Sequence, residues 1–388
     1  MDNEELENIQ KAIRLECLDG WLFCNFHHRD LISNSVLHIS TTESNSRMWI
    51  YAVPAHGKPL KILHKVESEN LSSLLGDTIS YVSREEFFSA VSSLKNKNWG
   101  VNFSENLPAI SYLDLGTANL LKKAGLNLKS AEGLIQRFKG LLDNAGIESH
   151  EKSANHLYEI IEISWEKLKK AFTNKESLYE GDIRSLMLNE LEKRNLITHR
   201  SPIVGFGKNS GNPHYDFPDR GSILHEGDVI QFDIWAKENS ESAIYADISW
   251  IGFAGFSIPS KIEKTFNDLI KVREETFNFI KKELDLAHRL TGYDVDAKAR
   301  ELLISLNYTS EIKHRTGHGI DTECHGSGVN IDSVEFPDKR FILEGSCFSL
   351  EPGIYFPDFG MRTEIDVYIL NGNPKISGKD RQFKLLTC

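Results

Sequence analysis

Two runs decide the reading of this chain: HRTGHGIDTECHGSG (314–328) and SCFSLEPGIYFPDFGMRTEIDVYIL (346–370). They carry three histidines, His314, His318 and His325, and two glutamates on strand-like sequence, Glu351 and Glu364. Upstream, GDVIQFDIWAKENSESAIYADISW (227–250) places Asp233 and Asp247 on another pair of strand-like runs. In VIQFDIW, period-two alternation sets Ile230, Phe232 and Ile234 on one face and Gln231, Asp233 and Trp235 on the other. A carboxylate in so apolar a strand is costly to bury unless it is paired or bound to a cation. Asp247, Glu351 and Glu364 stand in similar surroundings. Converging on one cleft, four such groups would repel one another and take up protons unless a positive charge compensated them. One imidazole and four carboxylates, with no thiolate among them, form a hard-leaning ligand set. It suits two divalent cations that share bridging carboxylates and activate a water.

The sequence around these runs repeats an order. A helical stripe of Ala154, Leu157, Ile161, Leu168 and Phe172, then a shorter helix over 180–195, precede the aspartate strands. Helices over 260–290 and 294–306 precede the histidine and glutamate strands. Helix, helix, ligand-bearing strands thus occurs twice, the pattern of an internal two-fold pseudo-repeat. Between them, SPIVGFGKNSGNPHYDFP (201–218) is glycine-rich but lacks the order of a phosphate-binding loop. It reads as a loop that delivers His214 to the site, and no organic cofactor is expected.

N-terminal to this, a helix over 5–17, a strand over 21–26 and a hairpin of 48–54 with 59–66 are expected. Helix- and strand-like runs then alternate at 84–94, 99–103 and 116–125, which predicts a separate α/β domain. The boundary falls near Gly146, giving domains of 1–146 and 147–388. His27 and His28 are read as surface residues.

Composition bounds the function. At 388 residues the chain is too long for one ordinary core. Its 40% hydrophobic and 26% charged residues are those of a soluble globular protein. A net charge of −11, with no long basic run, argues against nucleic acid and anionic membranes as partners. The five cysteines, Cys17, Cys24, Cys324, Cys347 and Cys388, are scattered without a CxxC, which argues against a zinc knuckle or disulfide scaffold. The acidic, helix-like start is no signal peptide, and no apolar run approaches the roughly 18 residues of a membrane span. A cytoplasmic protein is expected.

The set PHY (213–215), GDVIQFD (227–233), YADIS (245–249), HRTGHGI (314–320), His325 and EPGIY…GMRTE (351–364) resembles the M24 metallopeptidases of the Xaa-Pro aminopeptidase and prolidase branch. That resemblance implies a C-terminal pita-bread domain of α/β class behind a small creatinase/prolidase-like domain. It implies two divalent ions, Mn²⁺ foremost with Co²⁺ or Zn²⁺ as alternatives. Asp233 and Asp247 would hold one, His318 and Glu351 the other, with Asp247 and Glu364 bridging. Glu351 would handle the proton of the attacking water, His325 and His214 would stabilise the tetrahedral intermediate, and His314 would line the pocket. The implied substrate is a small peptide with proline second, and a homodimer is expected. The rivals are a creatinase-like metal-free C–N hydrolase and a non-catalytic pita-bread binding protein. Two departures stand out. The aspartates are 14 positions apart, with extra residues around Lys237–Ser242, and Gly326 stands where relatives carry a glutamate.

Overall fold

The computed structural model describes residues 1–378 and 381–388, which form two compact units, Met1–Lys139 and Gly140–Cys388. In the first, alternation along the strands divides the core into two layers. β1 (Gly20–Asn25) sends Trp21 and Phe23 to one face and Leu22 to the other. β2 (Trp49–Pro54) does the same with Trp49, Tyr51 and Val53 against Ile50 and Ala52. With β3 (Leu60–His64), β4 (Asp77–Tyr81), β5 (Asn98–Val101) and β6 (Asn127–Ser130) they form one sheet in the order β4-β3-β2-β1-β5-β6. The expected hairpin is present, Ile50 pairing with Ile62 in antiparallel register. Helices α1 (Asn3–Leu15), α2 (Leu31–Val36) and α5 (Glu132–Lys139) cover the Trp21 face, and α3 (Arg84–Ser92) and α4 (Leu115–Lys123) the Leu22 face. Asp2, rather than a residue further in, starts the first helix: its carboxylate caps Glu5, and Glu5 caps back.

The second unit carries the repeated order. α6 (Asn144–Thr173) and α7 (Glu180–Lys193) lead into β7 (Leu196–Ile197), β8 (Ile203–Phe206), β9 (Val229–Glu238) and β10 (Ala246–Phe253). α8 (Ser260–Asp285) and α9 (Gly292–Ser305) lead into β11 (Cys347–Leu350), β12 (Gly353–Tyr355), β13 (Gly360–Arg362), β14 (Ile365–Leu370) and β15 (Asn373–Ile376). A last strand, β16 (Leu386–Thr387), pairs with β10. The apolar stripe of α6 (Leu157, Ile161, Leu168) packs on Phe232, Ile234 and Ile248, the side of β9 and β10 opposite the aspartates. Ile280 and Val295, from the second helix pair, pack on Phe348, Leu350 and Val367 of β11 and β14. Each helix pair therefore backs one acid-bearing sheet, and the acidic faces of the two sheets turn toward a common cleft. The two halves meet where Glu364 N donates to Ser249 O at 3.2 Å, and the coil that carries His318 is tied to β11 where Ser349 N donates to His318 O at 2.9 Å. Among the described residues, no helix is long and apolar enough to cross a membrane.

The long aspartate connection resolves simply. The β9–β10 ladder ends at Ala236 opposite Ala246, and the extra residues continue β9 to Glu238, where they pair with β7.

Candidate metal and catalytic site

Asp233 lies opposite Ser249 across the β9–β10 ladder, and Asp247 lies opposite Trp235. The two aspartates are thus diagonal neighbours on one face, within reach of a shared partner. Ser249, two residues beyond Asp247, joins the strands' chemistry: its Oγ lies 2.8 Å from Asp233 Oδ1 and 2.8 Å from Glu364 Oε2. His318 follows Gly317, whose backbone passes so close to Ser349 that a Cβ there would fall 2.0 Å from its carbonyl oxygen. The His318 Nδ1 faces Gly319 O at 3.4 Å, which leaves the Nε2 lone pair for the cleft. That Nε2 stands 3.7 Å from Asp247 Oδ2 and 3.6 Å from Glu351 Oε1. One ligand atom each from Asp247, His318 and Glu364 can be drawn within 4.8 Å of one another.

The electrostatics are those of crowded, buried acids. Burial, then Asp233 and Asp366, hold the Asp247 carboxyl well above the usual range. Burial, then Asp247, Glu351 and Asp233, do the same to Glu364. Asp233 and Glu351 are also raised by burial, against the pull of Arg362. Asp247 Oδ1 is buried without a hydrogen-bond partner among the described residues. His318 is held neutral, well below its ordinary pKa, by burial and by His325 and Arg315.

The other expected residues are placed less uniformly. The His325 ring packs 4.2 Å from that of His318, and although the residue as a whole is exposed, ring burial and nearby Arg315 push its pKa to about 4. His214 is exposed on its loop, which Arg362 anchors through Pro213 O at 3.3 Å, and it stands near enough to act on both Glu351 and His325. His314 stands one layer back: its Nε2 meets Tyr355 Oη at 2.8 Å and its Nδ1 meets Arg315 O at 2.6 Å, with burial lowering its pKa to about 4.

Several groups have no part in the sequence reading. Arg362 pairs closely with Asp233, donates to Ser249 Oγ at 3.1 Å, and lies 3.8 Å from Glu351 and 3.9 Å from Glu364. Asp366 accepts from Asp247 N at 2.8 Å, beneath the acids. The signal for both was there: Arg362, Glu364 and Asp366 recur at period two. Cys324 donates its thiol hydrogen to Asp247 Oδ2 at 3.0 Å, so a sulfur does stand among the oxygens. Gly326 also differs from expectation. A Cβ there would lie 2.6 Å from the Asp321 carboxyl carbon, so Asp321, which accepts from Ser327 N at 2.7 Å, already fills the start of that side chain's path. A glutamate at 326 has no room while Asp321 keeps its place.

Four buried acids, one imidazole and an adjacent arginine make a candidate hydrolytic centre, and the comparisons point to the same class of enzyme. The profile of metallopeptidase family M24 matches residues 151–371, more than half of the chain. The chain belongs to metallopeptidase family M24. It is similar to the probable dipeptidase PepE of Mycobacterium tuberculosis, 24% identical over 345 residues, 87% of this chain and 85% of that protein. It is similar to the putative dipeptidase YkvY of Bacillus subtilis, 24% identical over 299 residues, 76% of each. The crystal structure of dipeptidase PepE from Mycobacterium ulcerans superposes with a TM-score of 0.75 at 20% identity, covering 99% of this chain and 97% of that one. This M24 chain is a peptidase on the pita-bread fold.

Proposed function

We propose that this M24 chain is a dinuclear metal-dependent peptidase that hydrolyses the bond between an N-terminal residue and proline, with Xaa-Pro dipeptides among its best substrates. The observation that carries the reading is the convergence of Asp247, His318 and Glu364, flanked by Asp233 and Glu351, with the buried Asp247 Oδ1 left without a partner. Buried acids held above their ordinary pKa are a donor set whose protons a cation can displace. Asp233, Asp247 and Glu364 would hold one ion, and His318, Glu351 and Glu364 the other, with Asp247 also bridging. Mn²⁺ suits this oxygen-rich set, and Co²⁺ or Zn²⁺ are alternatives. The names of its relatives, dipeptidases, support a short substrate.

Ions bound there supply Lewis acidity and acidify water. The chain's own residues do the rest. Glu351 takes the proton of the attacking water and returns it to the proline nitrogen as the C–N bond breaks. Its Oε1 is held by Ser349 Oγ at 3.3 Å. His325 and His214 donate to the carbonyl oxygen as it gains charge, and the lowered pKa of His325 keeps its ring a neutral donor at neutral pH. Arg362 fixes the Asp233 carboxylate, and Tyr355, which hydrogen-bonds Arg362, links His314 to that guanidinium. Residues 1–146 would be a creatinase/prolidase-like domain, and a cytoplasmic homodimer completes the reading.

The test is metal-stripped protein reconstituted separately with Mn²⁺, Co²⁺ and Zn²⁺, analysed for bound metal and assayed on Xaa-Pro dipeptides and tripeptides. About two ions per chain and hydrolysis at the Xaa-Pro bond are expected. No bound ion, or no cleavage of any proline peptide, would refute the proposal.

A further inference from the structure

Segment 318–325 brings a different set of donors together beside the acids. His318, Cys324 and His325 each offer one atom, and these atoms lie within 4.8 Å of one another. Cys324 Sγ is also 3.0 Å from Asp247 Oδ2, which is 3.7 Å from His318 Nε2. A four-coordinate zinc, with bonds of about 2.0–2.3 Å, has tetrahedral ligand edges of about 3.3–3.8 Å. The sulfur–carboxylate and imidazole–carboxylate edges therefore need to change by less than about an ångström to match such an ion, and His318 and His325, each within 4.8 Å of the sulfur, close the remaining edges by a further approach. Cys324 and His318 are buried, while His325 reaches solvent and offers a way in.

We propose that Cys324, His325, His318 and Asp247 form a second kind of cation site, selective for thiophilic ions such as Zn²⁺ or Cd²⁺ and mutually exclusive with the catalytic pair. The chemistry of the donors separates the two. Hard oxygen ligands suit Mn²⁺, whereas thiolate with imidazole favours Zn²⁺ over Mn²⁺ by ligand softness and by the Irving–Williams order. Binding replaces the thiol proton by the metal–sulfur bond, and that proton leaves to solvent. The ion also takes His318 and Asp247 away from the set proposed for catalysis, and His325 away from the substrate. Thiophilic metals at low excess therefore switch the peptidase off although Mn²⁺ is present.

The inhibitory consequence rests on the proposed peptidase function, but the site itself does not, and the experiment separates them. Metal-stripped protein is titrated with Cd²⁺, and the ultraviolet cadmium–thiolate charge-transfer absorption is followed in wild type, Cys324→Val and His325→Ala. The wild type should show a saturable band, Cys324→Val should lose it although four other cysteines remain, and His325→Ala should need at least tenfold more Cd²⁺. Absence of the band in the wild type, or its persistence in Cys324→Val, overturns the site whether or not the protein cleaves any peptide. In Mn²⁺-loaded protein, Zn²⁺ inhibition, scaled to each variant's own uninhibited rate, should need at least tenfold more Zn²⁺ in Cys324→Val. Equal sensitivity would overturn the switch.

Discussion

In Asp247→Asn the carboxylate becomes a neutral amide of nearly the same shape, and the effect on stability should change sign with metal. Without metal, the wild-type group is a buried acid, its side chain 7% exposed, pressed by Asp233 and Asp366 and with one oxygen unpartnered. Leaving a buried acceptor unsatisfied costs about 1–3 kcal/mol, and more for a charge. Part of that gain is offset because the new amide hydrogens need acceptors, so a net stabilisation of about 1–2 kcal/mol is expected. For a unit the size of Gly140–Cys388 this raises the melting temperature by roughly 2–8 °C. With metal, the wild type gains about 2.7 kcal/mol when the ion stands at a hundred times its Kd, whereas the variant loses a ligand and most of this gain. The two melting curves should therefore cross: variant above wild type after chelation, below it in millimolar Mn²⁺.

The pH dependence sharpens the test. A carboxyl with a raised folded-state pKa contributes stability that is fully present below its unfolded value, 3.8 for Asp, and lost as pH rises through the raised folded value. His314 and His325 work the other way: lowered from 6.5 to about 4, they cost stability as pH falls through that window. Both chains share the histidines, so the difference between them isolates Asp247 together with the acids its charge raises, Glu364 first. The variant's advantage without metal should shrink as the pH is lowered from neutral toward acid. Scanning calorimetry on chelated and Mn²⁺-loaded samples at several pH values measures all of this. A chelated variant less stable than wild type, with an equal Mn²⁺ shift in both, would refute the claim that these acids form a cation site.

Other expectations follow from the same geometry. His325→Ala and His214→Ala should retain about the wild-type metal content and lose on the order of 10²-fold in kcat; loss of an ion from either, by elemental analysis, would mean that the residue is a ligand. Gly317→Ala puts a Cβ 2.0 Å from Ser349 O, so it should push His318 out of line and lower both the melting temperature and metal content; a variant that matches wild type in both would contradict the packing. Asp321→Asn removes a buried charge beside Gly326 with little change of shape. If Asp321 supplies the negative charge at that end of the site, the variant should raise kcat/KM for Ala-Pro, whose carboxylate is close, more than for Ala-Pro-Ala, and an unchanged ratio would exclude the role.

Most of the fold was legible because burial imposes a period. The stripe on α6 and the alternation in VIQFDIW each mark the face that must turn to a core, and the opposite face of β9 is where the aspartates had to be. What escaped lacked such a signal. β4 (Asp77–Tyr81) is exposed over its first four residues, and α2 is six residues long, so neither writes a pattern. In the site, the five proposed ligands stand on or beside strands and were readable, whereas Ser249, Arg362 and Asp366 required asking what else shares their period-two face. The segment from Asp321 to Gly328 escaped for another reason. Adjacent side chains diverge on a strand or helix, so spacing along the chain brings none of these residues together. These residues are irregular coil. There the backbone folds back, Gly326 N donating to Gly319 O at 2.7 Å. That reversal puts Cys324 on Asp247, His325 on His318 and Asp321 beneath Gly326, three neighbours that no spacing along the chain encodes. The thiol, scattered by sequence, is therefore a direct partner of a carboxylate proposed to bridge the two ions, and the proposed thiophilic site would make the selectivity among cations turn on a residue type the sequence reading had kept out of the ligand set.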